Sequence, residues 1–171
     1  VNLIQQFKRI SAELEDAEIS QFLLKPFLKS KLNLIASKYD NIKECHVIGD
    51  DISVEHYANV LYRVLEQLVK NTSENATNEQ SDLKVNLVIA LSGNQLNLVY
   101  SDNGTGIADD IRDKVFDPFF TTKGMQKSMG LGLNIAYNSV LNLMKGNISC
   151  IESEEGAKFI LQLPLTIKAA Q

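Results

Sequence analysis

The sequence predicts an α+β fold, a two-layer α/β sandwich in which helices cover one face of a mixed, mostly antiparallel sheet. Leu83, Val85, Leu87, Ile89 and Leu91 alternate at period two, as do Leu96, Leu98 and Tyr100, with Ser92-Gly93-Asn94 as the hairpin turn between the two runs. The helical layer is signalled by Tyr57, Leu61, Val64 and Leu68, which share one face of a helix expected from about Ser53 through Asn71. At roughly 150 residues per domain, the 171 residues make about one domain.

At the start of the chain, Leu3, Phe7, Ile10, Leu14 and Ala17 recur at alternating spacings of four and three, a heptad pattern. So short a run does not separate a coiled-coil strand from an amphipathic helix packed on its own domain. A second helix is expected over about residues 20–37, with Pro26 either kinking it or marking its first turn. Residues 44–48 read as a short strand and Gly49-Asp50-Asp51 as a turn. The long helix is followed by a polar loop over residues 77–81 and then by the hairpin. A glycine-rich loop from Asp102 to Ile107 leads to a short helix and an aromatic stretch from Phe116 to Phe120. Residues 121–129 are polar without a sustained period, as expected of a mobile loop. A helix over about residues 131–145 and two closing strands, 147–151 and 158–163, complete the chain, the strands joined by the turn Ser153-Glu154-Glu155-Gly156.

Hydrophobic residues make up 44% and charged residues 22%, the composition of a globular domain with a real core. Lys plus Arg total 17 against 21 Asp plus Glu, a net charge of −4, which argues against a general nucleic-acid binder. No stretch approaches 18 consecutive apolar residues, so no membrane contact is expected of this chain. Val1-Asn2-Leu3 has neither the basic nor the apolar region of a signal peptide, and a cytoplasmic domain is expected. A start without Met suits an excised fragment or a processed product. Cys45 and Cys150 form neither a disulfide framework nor a zinc pattern, and read as small buried thiols.

Three polar elements could carry chemistry. The long helix places Gln67, Asn71 and Glu74 on one face, with Lys70 nearby; an Asn carbonyl can serve a hard cation such as Mg²⁺, although alone the stripe reads as a solvated helix face. Asp102-Asn103-Gly104-Thr105-Gly106-Ile107 ends an alternating strand. It can be a simple Asp-Asn-Gly turn or a ligand loop, in which glycines allow close backbone approach and the carboxylate accepts from an exocyclic amine. Gly130-Leu131-Gly132-Leu133 opens a helix behind the loop that carries Lys123 and Lys127, where bare backbone N–H groups suit phosphate oxygens; a lone glycine pair is nonspecific.

In order, the chain has an Asn-bearing helix, Asp-x-Gly-x-Gly, Phe-Asp-Pro-Phe-Phe-Thr-Thr-Lys and Gly-Leu-Gly-Leu. That series resembles the ATP-binding catalytic domain of sensor histidine kinases, part of the superfamily shared with gyrase-type and heat-shock-chaperone ATPases, over roughly Glu44 to Leu165. The resemblance implies the Bergerat sandwich, with ATP between the helical layer and a flexible lid. It implies Asn71 as the Mg²⁺ ligand, with Lys70 and Gln67 on the same catalytic helix. It assigns Asp102 to the adenine amine, with Gly104, Gly106 and Ile107 around the base. Phe116, Phe119 and Phe120 match the aromatic box at the lid base, where simple core packing is the other reading for at least one of them. Thr121, Thr122 and Lys123 match the lid hinge, and Gly130, Leu131, Gly132 and Leu133 the second phosphate-binding motif. Residues 156–164 match the final strand motif.

The chain departs from that pattern at four places. Gln67 stands where members usually carry Asn and the hydrolysing cousins carry Glu; an amide cannot act as a general base, which favours transfer over hydrolysis and leaves Glu66 one position off the face. Ser128-Met129 replaces part of the usual Gly-Thr-Gly of the lid. Glu74 and Asn75 stand where many members have a Lys and an aromatic residue, although another branch carries Glu at the first. Ala157 replaces a Thr, removing a hydroxyl near the adenine.

The resemblance implies transfer of the ATP γ-phosphate to a histidine for relay to a response regulator. His46, in a strand, and His56, expected on the long helix, lack the setting of that histidine. Residues 1–17 fit the end of a dimerisation helix and residues 18–171 the catalytic domain, so the phosphoacceptor is expected upstream, in a parent protein that is a homodimer and a cytoplasmic or membrane-bound sensor. The alternatives are a degenerate nucleotide-binding or interaction module, and a related ATPase or anti-sigma serine kinase.

Overall fold

The computed structural model describes residues 17–75, 82–123 and 129–167. The expected helix over Leu3 to Leu14, the 77–81 loop and residues 124–128 of the expected mobile loop lie outside them. The elements run β1 (Ile19–Leu23), α1 (Leu24–Ala36), β2 (Ile42–Ile48), β3 (Ser53–Tyr57), α2 (Ala58–Asn75), β4 (Leu83–Ser92), β5 (Gln95–Asp102), a 3₁₀ helix (Asp109–Lys114), α3 (Gly132–Asn138), a π turn (Ser139–Leu143), β6 (Asn147–Cys150) and β7 (Lys158–Pro164). Among the described residues, no helix is long and apolar enough to cross a membrane.

The main sheet has the order β2-β4-β5-β7-β6; β2 and β4 are parallel and every other pair is antiparallel. Its buried face carries Leu83, Val85 and Leu87 of β4, Leu96, Leu98 and Tyr100 of β5, and Phe159, Leu161 and Leu163 of β7, all at most 1% exposed. The residues between them are more exposed, the period-two pattern of a sheet with one packed face. Leu28, Leu32 and Ile35 of α1 and Leu61, Leu65 and Leu68 of α2 belong to the same core as those strand residues. Each such side chain contributes about 1.5–3 kcal/mol by leaving water.

Three element boundaries differ from the sequence expectation. Residues 19–23 are a strand, and helix α1 begins at Leu24, so Pro26 falls in its first turn, where a missing N–H costs nothing. Residues 53–57 are also a strand, paired antiparallel with β1 from Ile19↔Tyr57 to Leu23↔Ser53. The expected helix starts only at Ala58, and His56 and Tyr57 lie in β3. Val54 and His56 are buried at spacing two, and Glu55 bonds through its backbone to Leu165 and Ile167, so tertiary pairing decides the local structure. The last helix widens into the π turn, closed by Met144 N–H donating to Ser139 O at 3.1 Å, and Val140 and Met144 are both fully buried there.

Candidate functional site

A cleft of about 370 Å³ opens between α2, the end of β5 with its loop, the 120–123 segment and the start of α3. That volume suits a small-molecule ligand. Of the site residues expected from sequence, Gln67, Lys70, Asn71, Asp102, Gly104, Gly106, Ile107, Phe120, Thr121, Thr122, Lys123, Gly130, Gly132 and Leu133 line it. Phe116 and Leu131 do not. Phe116 packs on Phe159 and Tyr137, with ring centroids 6.1 and 5.4 Å away, and Leu131 is only 9% exposed. Phe119 is half exposed at φ 67°, and its N–H donates to Gly130 O at 3.0 Å, tying the two ends of the 119–130 segment together.

Among the residues lining the cleft is Asp102, a carboxylate only 6% exposed. Its Oδ1 accepts from the backbone N–H groups of Gly104 and Ala157, each at 2.9 Å. Its Oδ2 accepts from the Thr72 hydroxyl at 2.5 Å, and that hydroxyl lies 2.7 Å from the Tyr100 hydroxyl. Burial of a carboxylate demands such donors. The turn before β7 is shaped around it: a Cβ on Gly156 would lie 1.9 Å from Asp102 O, and φ is +58° there. Ala157 thus contributes its N–H, and the hydroxyl beside Asp102 comes from α2 instead.

The polar edge of the cleft is built on α2. Asn75 Nδ2 donates to Asn71 Oδ1 at 2.7 Å and to Asn71 O at 2.8 Å, while Thr105 Oγ1 donates to Asn75 O at 2.9 Å. Lys70 Nζ lies 3.7 Å and Lys123 Nζ 4.0 Å from the Glu74 carboxylate, and Lys123 Nζ also donates to Glu74 O. Gln67 faces the start of α3 closely: a Cβ on Gly132 would lie 2.6 Å from Gln67 Oε1. Glu66 is turned to the outside of α2, in a 2.7 Å ion pair with Lys38.

Thr72, Glu74 and Asn75 also line the cleft, and Tyr100 stands behind Thr72, fully buried. Tyr100 passes in the sequence for an ordinary strand residue. Thr72 continues the buried series Leu65, Leu68 and Val69, and a hydroxyl inside an apolar helix stripe is the signal that it needs a partner. His46 is exposed in β2, 3.3 Å from Glu44, and His56 is 1% exposed; neither lines the cleft.

The family model described as histidine kinase-, DNA gyrase B-, and HSP90-like ATPase matches residues 57–167, and the chain belongs to that family. It is 34% identical over 115 residues to the sensor protein RstB of Escherichia coli K12, covering 64% of this chain and 26% of RstB. It is 43% identical over 68 residues to the two-component sensor PprA of Pseudomonas aeruginosa, covering 40% of this chain and 7% of PprA. The solved catalytic domain of histidine kinase ThkA matches with a TM-score of 0.74 at 29% identity, covering 87% of this chain and 97% of that domain. The chain spans 26% and 7% of those two sensor proteins and nearly all of a solved catalytic domain. It is an ATP-binding catalytic domain of the sensor histidine kinase type.

Proposed function

We propose that this cleft binds Mg²⁺-ATP and that, in the whole protein, the domain presents the γ-phosphate to a histidine on an upstream dimerisation domain. The phosphoryl group then passes to a response regulator, and the parent acts as a homodimer in the cytoplasm or as the cytoplasmic part of a membrane-bound sensor. In this reading residues 1–17 end the dimerisation helix and residues 18–171 are the catalytic unit. The pairing of β1 with β3 from Ile19 onward supports that boundary.

The observation that carries the reading is Asp102, a buried carboxylate lining the cleft with every protein partner a donor. Such a group presents an acceptor to the exocyclic amine of adenine. The phosphates extend toward Lys70, Lys123, the Thr121 and Thr122 hydroxyls and the backbone of Gly130 to Leu133. Phosphoryl transfer needs positioning and charge neutralisation more than covalent chemistry, and these groups supply both.

Asn71 suits Mg²⁺. Its carbonyl oxygen is held by Asn75, and no group of three or more His, Cys, Asp or Glu side chains able to hold a metal occurs among the described residues. A single amide oxygen matches an ion that takes its other ligands from phosphates and water. When bound, the ion neutralises charge between phosphate groups. Gln67 cannot take a proton from water, and Glu66 is paired with Lys38 away from the cleft, which supports transfer over hydrolysis.

The test is Asn71→Ala in the full-length parent, assayed for autophosphorylation with Mg²⁺-ATP. Loss of the phosphohistidine is expected; labelling at the wild-type level overturns the role of Asn71 and the Mg²⁺-dependent transfer.

A further inference from the structure

Thr72 has one hydroxyl proton, and it points to Asp102 Oδ2 at 2.5 Å. The 2.7 Å contact between Thr72 and Tyr100 therefore has Tyr100 as its donor. Tyr100 is fully buried, and burial raises its phenol well above the ordinary value, with the Thr72 bond opposing and the Asp102 charge reinforcing; the phenol stays protonated. The result is a one-way chain, Tyr100 OH to Thr72 Oγ1 to Asp102 Oδ2. Oδ1 receives the N–H groups of Gly104 and Ala157. No protein partner of this carboxylate accepts from it.

This arrangement has a consequence for what the cleft admits. A 6-amino purine brings an N–H to the remaining lone pair of the carboxylate. A 6-oxo purine brings a second acceptor, and two acceptors face each other without a proton between them. We propose that Thr72 and Tyr100 are positioning residues that set the preference of this cleft for 6-amino over 6-oxo purine nucleotides, by committing the Thr72 proton to Asp102. The proposal rests on the reading of the cleft as an adenine-nucleotide site with Asp102 at the base.

Both residues act through Asp102. Thr72→Val keeps the shape and removes the donor, so Oδ2 can recruit a water in place of the hydroxyl, and that water can donate to a 6-oxo group. Tyr100→Phe removes the donor that holds the Thr72 hydroxyl in its orientation, and the same loosening follows in weaker form. Thr72→Ser keeps the hydroxyl.

The experiment titrates the 171-residue chain, in wild-type, Thr72→Val, Thr72→Ser and Tyr100→Phe forms, with Mg²⁺-ADP and Mg²⁺-IDP by calorimetry. The wild type is expected to prefer ADP by about tenfold to a hundredfold, the range of one unpaired buried polar group. Thr72→Val should cut that ratio by about tenfold, Tyr100→Phe by about threefold, and Thr72→Ser by less than about twofold. Equal weakening of both nucleotides, with the ratio unchanged, means a merely structural role and overturns the proposal. Should Thr72→Val fail to fold, an unchanged ratio in Tyr100→Phe overturns it equally. A wild type that binds ADP and IDP alike refutes the proposal alone, whereas a wild type that binds neither refutes the nucleotide reading and the proposal with it.

Discussion

Asn75 holds the side chain of Asn71 in place, its Nδ2 donating to Asn71 Oδ1 at 2.7 Å across one turn of α2. A metal ligand oriented by a neighbour of this kind loses affinity when the neighbour is removed. Asn75→Ala is expected to raise the Mg²⁺ concentration for half-maximal ADP binding by about tenfold, the low end of such effects. Binding of ADP without Mg²⁺ should stay as it is. An unchanged Mg²⁺ requirement, measured by titrating the ion at fixed ADP, contradicts this role.

Gly156 and Gly93 offer a matched comparison. Both have positive φ, +58° and +59°, but a Cβ at Gly93 meets nothing within 4 Å, while one at Gly156 lies 1.9 Å from Asp102 O and 2.4 Å from its Oδ1. Gly93→Ala should therefore cost only the conformational term, about 1 kcal/mol. Gly156→Ala should cost at least about 3 kcal/mol, because the turn must move off the carboxylate. Urea denaturation of the two variants checks the difference; equal losses would mean that Gly156 is retained for its φ alone.

Glu74 places a carboxylate between Lys70 and Lys123 at the edge of the cleft, where the proposed function puts the phosphates. Glu74→Gln removes a charge that repels a polyphosphate and competes for both ammonium groups. At low salt the variant should bind Mg²⁺-ADP about threefold tighter, a modest gain because the groups are partly exposed. The gain should fade as salt is raised. Weaker binding in the variant would show that Glu74 holds the lysines in their working positions.

His56 is 1% exposed, and no ring nitrogen makes a hydrogen bond of normal geometry. Burial pushes its pKa down to about 4, with the Pro164 backbone partly opposing. The folded state therefore resists protonation that the unfolded chain accepts below about 6.5. Stability from this residue is complete above that value and declines as pH falls toward about 4. The slope is at most about 1.4 kcal/mol per pH unit. His56→Leu should flatten the pH dependence of the urea midpoint between pH 7 and pH 5 relative to wild type. The same slope in both proteins sinks the assignment.

The hairpin, the closing strands and the order of the four motifs are legible because local chemistry dictates them: alternation at period two, and glycines where backbones meet. The strand at residues 53–57 is not. Tyr57 stands at helical spacing from Leu61, and only its pairing with Ile19, far off in sequence, makes that stretch extended. Likewise, nothing local in Ala157 reveals that the hydroxyl beside Asp102 arrives from Thr72, one turn beyond Leu68, where the apolar face legible in the sequence ends. Partners that lie opposite each other across the cleft are written in the tertiary structure.

The most direct test of the whole account is calorimetric titration of the wild-type chain and Asp102→Asn with Mg²⁺-ADP. The amide keeps the shape but gives up one acceptor oxygen, and it confronts the N–H groups of Gly104 and Ala157 or the Thr72 hydroxyl with a donor. Micromolar binding by the wild type, weakened by at least about tenfold in the variant, is the predicted result. Equal affinity in the two proteins would contradict the reading of Asp102 as the group that recognises the base.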